Sequence, residues 1–376
     1  MRCWAILCLI LVCEAQPLPP ETLVLAKVKA KVAESLSSLP NLTCTETIRR
    51  TLWFQSSATP EMVDTVRLEV AYVQKKELYG WPGGSRIDEP DIGKLVGGSV
   101  GSGYFALFLN NIFLGQFTNF HYVSHAKLEG LEALRYDYQV PQLAGAYRLS
   151  SARGAALVGY HGSVWVREES AELARIAVIA DDVPTELGFS AASSQLDFGV
   201  TSIGGRSYLV PTAAEIVFVD TLGNRHISEL SFQSWHAFVG ESVIKFNPPA
   251  PGPTVALPAE FTVDVDLLSG IGSGTSAGGD PIEAVLRDDI KLNGATVVPK
   301  GAALSGRIAR LTKNGASYLL EFHFTSISFE GGHADLSGRD NRVAVENWER
   351  TGQGPQFSLP RGTHLTLHSQ AAEPRK

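Results

Sequence analysis

Gly97-Gly98-Ser99-Val100-Gly101 fits G-x-S-x-G, the pattern in which a tight turn between a strand and a helix exposes a nucleophilic serine. As chemistry this would be ester hydrolysis at Ser99. The preceding DIGKLV is a weak strand, and the surrounding chain does not alternate parallel strands with helices, so a chance match in a Gly- and Ser-rich stretch is the stronger reading. His121 and His125 would suit zinc on one helix face. QFTNFHYVSH reads as a strand instead, where residues four apart stand about 13 Å from one another. Gly270-Ile271-Gly272-Ser273-Gly274 lacks the lysine and the following helix of a phosphate loop and reads as a flexible hairpin loop. Asp264 and Asp266, with Asp288 and Asp289, are candidate paired acids, yet Asp264 and Asp266 alternate with Val263, Val265 and Leu267, the pattern of a solvated strand face. The expectation is therefore a protein that is not an enzyme, with no catalytic residue, no metal ligand and no cofactor.

Of four cysteines, three lie in the first fifteen residues, which leaves Cys44 alone and without a disulfide partner. Its thiol is either activated by Arg49 and Arg50 nearby in sequence or, the more economical reading, a small buried hydrophobe. With 32 basic against 39 acidic residues, and no run of Lys and Arg to follow a phosphate backbone, nucleic acid is not expected as a partner.

The elements that would position any site follow from hydrophobic period. MRCWAILCLILVCEA has an early cation, an apolar run too short to span a bilayer, and small residues at a cleavage site, so residues 1–15 read as a secretory signal peptide. A lipid anchor at Cys13 ranks second, because Val12 fits poorly before it. The expected location is the periplasm or the exterior. From Glu21 to Ser38, Leu25, Val28, Val32 and Leu36 fall at helical spacing. Thereafter the period is two: Val66, Leu68, Val70 and Tyr72 share one face, as do Leu134, Tyr136, Tyr138 and Val140, and GYHGSVWVREESAELARI reads as two strands and a turn. Residues 91 to 114 break the pattern, and Phe105, Phe108, Leu109, Ile112 and Phe113 predict a short, very apolar helix that needs burial on several sides. NPPAPGPTVALP, residues 247–258, predicts an extended proline-rich linker between a domain at 20–246 and a small β-barrel-like domain at 259–370.

A signal, an opening amphipathic helix, and many antiparallel strands interrupted by apolar helical segments resemble the half-barrel fold of periplasmic lipoprotein carriers and envelope-stress sensors. VWVREESAELARIAVIADDVP followed by SQLDFGVTSIGGRSYLVP carries the likeness, which covers residues 20 to about 246. The phrase PIEAVLRDDIKLNGATVVPKGAALSGRI, residues 281–308, resembles the small β domain of channel-scaffold subunits in conjugation and type IV secretion systems. That second resemblance implies a module offering strand pairing at an open edge to an envelope protein.

The fold class is thus mainly β (α+β): a curved antiparallel half-barrel sheet with an N-terminal helix and a short helical plug, then a small all-β domain. The concave face must be apolar if dry. Its candidate ligand-binding residues are Val66, Leu68, Val70, Tyr72, Phe105, Phe108, Tyr136, Tyr138, Val164, Val166, Phe218 and Phe232. With a movable plug these residues can hold a lipid or a lipoprotein acyl chain, because each buried methylene contributes about 0.8 kcal/mol, and peripheral membrane contact is open to such a protein. The alternative is a structural or assembly protein of the envelope whose core is self-filled.

Overall fold

Alternating side chains along 42–53, 61–73 and 131–140 put apolar residues on one face of each strand, and burying that common face folds the sheet. The computed structural model describes residues 19–84, 86–97, 103, 105–144, 147–151, 153–238, 252–314, 317–337, 339–340, 342–345 and 357–371. Residues 1–15, expected above to be a signal peptide, Ser99 and the first part of the proline-rich stretch lie outside them.

The large sheet is antiparallel throughout. In space its strands run Asn119–Leu128, Leu131–Val140, Tyr160–Arg167, Leu173–Ala180, Phe189–Ile203, Arg206–Asp220, Arg225–Ala237, Leu42–Trp53, Glu61–Val73 and Lys76–Gly80. The first strand of the chain is therefore internal, and the chain must travel from the edge at 76–80 to the opposite edge at 119–128. It makes that passage over the apolar face. The crossing segment holds a helix at Ile92–Val96, one helical turn at Leu107–Leu109 and a π-turn at Asn110–Leu114. The single regular helix predicted for the apolar run is thus two short irregular pieces, since the crossing must bend to follow the sheet.

The opening helix, Pro20–Ser38, covers the rest of the face with Val28 and Val32. It is pinned where Tyr136 donates its hydroxyl to the Glu21 carbonyl at 2.6 Å and where Lys29 Nζ sits 4.6 Å above the Phe120 ring. No helix among the described residues is long and apolar enough to cross a membrane.

A second group of strands buries its own hydrophobic cluster, including Val265, Leu304, Phe322, Phe324 and Leu367. His364–Ala371, Glu260–Leu267, Pro281–Leu286, Ala303–Asn314 and Ser317–Phe329 pair in that order. Arg342–Val345 pairs with Ser317–Phe329, while Arg339–Asp340 pairs with His364–Ala371, so the pairings return to their start. This module contacts the large sheet. Arg67 N–H donates to the Gly278 carbonyl and Gly278 N–H to the Thr65 carbonyl across the junction, and the Arg67 guanidinium meets both carboxylate oxygens of Asp280, the farther at 2.6 Å. Gly279 has φ +96°, and a Cβ there would run into the Arg67 carbonyl and the Trp81 ring, so the close approach needs glycine. Residues 252–255 are bound to the second module as well: His333 Nδ1–H donates to the Gly252 carbonyl at 2.7 Å, its Nε2 meets the Thr254 hydroxyl at 3.1 Å, and Val255 N–H donates to the His333 carbonyl.

Candidate functional site: the covered concave face

The twelve residues named from sequence fall in one hydrophobic cluster, and none is more than 6% exposed. What covers them is the crossing segment. Phe105 stacks on Tyr72 with centroids 5.8 Å apart and presents its edge to Phe232 at 5.9 Å and Trp235 at 5.5 Å. Phe108 meets Tyr147 at 5.3 Å and Tyr160 at 5.8 Å, and Phe113 lies 5.7 Å from Phe120. In this state the concave face is filled by the chain's own side chains.

Within this oil sits an acid that hydrophobic patterning passes over. Glu46 shares the buried face of Leu42, Cys44 and Ile48, stands opposite Leu68 on one neighbouring strand and Phe232 on the other, and is fully buried. Neither of its carboxyl oxygens has a hydrogen-bond partner among the described residues. Burial pushes this carboxyl up to about 8, with the charge of nearby Glu77 adding to the effect.

Glu77 is opposite Tyr72 in register and does have partners. It accepts the backbone N–H of Gly103 at 2.7 Å, that of Phe105 at 2.9 Å and the Tyr79 hydroxyl at 2.7 Å. Burial still raises its carboxyl above the usual range, outweighing the three donors that act the other way. The two main-chain bonds fasten the start of the plug to the sheet. Gly103 has φ +89°, and a Cβ there would press on Leu107, so the latch needs glycine. Burial, reinforced by both carboxyls, also holds the Cys44 thiol well above its ordinary range. Cys44 is thus a buried hydrophobe rather than an activated nucleophile.

The other chemical candidates are dispersed. Residues 92–96, just before Gly97, form a helix capped by the Asp91 side chain on Gly93 N–H, so the strand a nucleophile elbow needs is absent there. His121 and His125 do lie in a strand, and His125 is engaged by the Tyr122 hydroxyl at 2.8 Å and Glu168 at 3.4 Å. Among the described residues, no group of three His, Cys, Asp or Glu is placed to share a metal ion. Asp264 and Asp266 face away from the core toward His364. Gly270–Gly274 is not a free loop: Ile271–Gly272 pairs with Ser358–Leu359.

Open cavities at the margins of the two hydrophobic clusters include three among the described residues. One of about 610 Å³ at the junction is lined by Arg50, Asp64, Val66, Trp81 and Arg310 among others; a second of about 350 Å³ lies by Arg67 and Asp280; a third of about 290 Å³ lies between the opening helix and the sheet. Val66 lines the first. The other eleven predicted residues line none of the three.

The sequence matches no protein-family model and no curated protein. Among solved structures it is similar to a putative outer membrane lipoprotein-sorting protein domain from Vibrio parahaemolyticus, at 12% identity and TM-score 0.32, over 61% of this chain and 97% of that one. It is also similar to a DUF1329 family protein from Desulfovibrio piger (11%, TM-score 0.30, 61% and 97%) and a LolA superfamily protein from Nitrosomonas europaea (9%, TM-score 0.30, 59% and 97%). What the interior can hold follows from its own side chains.

Proposed function

We propose that this chain is a non-enzymatic envelope protein that takes up an apolar chain, of a lipid or of a lipoprotein acyl group, on the concave face, and that the structure is its closed state. The observation that carries this reading is the nature of the cover. Beside the regular opening helix, the face is roofed by a crossing segment of irregular backbone, a three-residue helical turn followed by a π-turn, latched at its start by the Glu77 carboxylate.

Magnitudes set the ligand length. Phe105, Phe108, Leu109, Ile112 and Phe113 at about 1.5–3 kcal/mol each hold the plug shut by roughly 8–15 kcal/mol if opening exposes them fully. At about 0.8 kcal/mol per methylene, a ten-carbon chain reaches only the lower end of that range. A chain of about sixteen carbons is called for, or a ligand that keeps the displaced rings covered. Export through the signal at 1–15 and a partner for the second module belong to the same reading, and so does the division of the chain at 247–258.

The test is a titration of purified protein with a fluorescent sixteen-carbon acyl probe, beside native mass spectrometry of protein isolated from its own envelope. Saturable uptake and a co-purifying lipid are expected; absence of both overturns the reading. The competing reading is a structural or assembly protein with a permanently self-filled core, and near-complete burial of all twelve residues favours it. Failure of the probe to enter at any concentration decides for it.

A further inference from the structure

The concave interior offers more than oil at one end, and this end belongs to the uptake reading above. Glu46 is fully buried on the concave face with both carboxyl oxygens unpartnered among the described residues. Glu77 lies two strands from the strand of Glu46, opposite Tyr72, which itself stands opposite Leu42, and its charge acts on the Glu46 carboxyl. Phe232 stands opposite Glu46 in register, Tyr72 stands opposite Glu77, and the Phe105 ring touches Tyr72, Phe232 and Trp235. Both acids thus stand opposite rings that Phe105 touches, and Phe105 with Tyr72, Phe232 and Trp235 makes four aromatic rings at this end of the face.

We infer that this end of the face is a headgroup site for an amine, and that the ligand class is a long-chain amphiphile ending in an ammonium group. Three considerations converge. First, a buried carboxyl without a partner is an unmet demand for a donor, and a cation meets it best in a low-dielectric interior. Second, moving the plug breaks both main-chain bonds to Glu77, leaving a second carboxylate of the same face short of donors and adding to the pull on a cation. Third, ring faces attract cations, so the rings that Phe105 now bridges would flank the incoming charge. A fatty acid headgroup would instead add a third acid to two. An alcohol supplies one donor and no charge.

The experiment is a competition series against the fluorescent sixteen-carbon acyl probe, using tetradecylamine, tetradecanol and tetradecanoic acid delivered from cyclodextrin to the full-length protein. In the wild type, tetradecylamine should displace the probe at a concentration at least tenfold lower than tetradecanol, with tetradecanoic acid the weakest. Glu46→Gln should bring amine and alcohol to within about threefold of each other, chiefly by weakening the amine, and a near-ultraviolet circular dichroism spectrum like that of the wild type shows that the interior is intact. Glu46→Leu, which has no polar group to bury, should behave the same way and serves if the Gln variant does not fold.

Amine and alcohol competing equally in the wild type would overturn the headgroup site and leave uptake of apolar chains standing. An amine preference that survives in both variants would overturn it too. A probe that never enters is the distinct result that removes the uptake reading itself.

Discussion

If Glu46 is as isolated as its surroundings indicate, its proton should couple strongly to folding. Its carboxyl sits at about 8 in the folded chain against an ordinary 4.5. Between those values the native state keeps a proton that the unfolded chain has released, so the unfolded state binds fewer protons and stability must fall as pH rises. The slope for one such group is about 1.4 kcal/mol per pH unit, or roughly 4 kcal/mol between pH 5 and pH 8. Glu77 is shifted in the same direction and adds to the wild-type slope, so the informative quantity is the difference from Glu46→Gln. The two proteins should be nearly equal near pH 5, where both carry a neutral buried group. The variant should pull ahead by about 1.4 kcal/mol for each further pH unit until about pH 8. Urea unfolding at half-unit pH steps, followed by tryptophan fluorescence, reads this, because Trp235 touches the same Phe105 and Phe232 rings. Parallel stability curves for the two proteins would refute the assignment of Glu46 as a buried, unpaired acid.

Other substitutions probe the cover, the junction and the thiol. Phe108→Ala removes a ring that is 1% exposed and wedged against Tyr147 and Tyr160, and should cost about 3–5 kcal/mol in urea unfolding. Arg67→Ala and Asp280→Ala, combined in a double-mutant cycle, should show a coupling of roughly 1–3 kcal/mol, since the pair is charge-assisted and mostly covered; a coupling near zero would mean that the modules are held by backbone contacts alone. Cys44 should react with a thiol reagent within seconds in denaturant and hundreds of times more slowly in the folded chain; rapid native labelling would contradict its burial.

The strands were legible because a sheet buried on one side writes a period of two, and Val66 to Tyr72 or Leu134 to Val140 show it without interruption. The plug was legible as a need for burial, because five large apolar residues within nine positions have nowhere else to go. Its shape was not, since the bend over the sheet comes from the passage between two distant edges, which no local pattern records. Glu46 was hidden for a different reason. A charged residue is ordinarily assigned to the solvent side, yet its phase with Leu42, Cys44 and Ile48 placed it inside, and that phase was the signal available. Glu77, in the short strand Lys76–Gly80, carried no such signal, because its role depends on main-chain groups some 26 positions away. The closed ring of the second module was likewise invisible: it depends on the split pairing of Arg339–Asp340 and Arg342–Val345 with two different strands.

The most direct measurement of the central claim is hydrogen–deuterium exchange with and without a sixteen-carbon acyl ligand. Binding on the concave face requires the cover to move, so amides of residues 105–114 should exchange faster in the complex while those of the strands at 42–53 and 131–140 stay protected. Saturable binding with residues 105–114 as protected as in the free protein would mean that the ligand sits on the outside and that the interior is a permanent core.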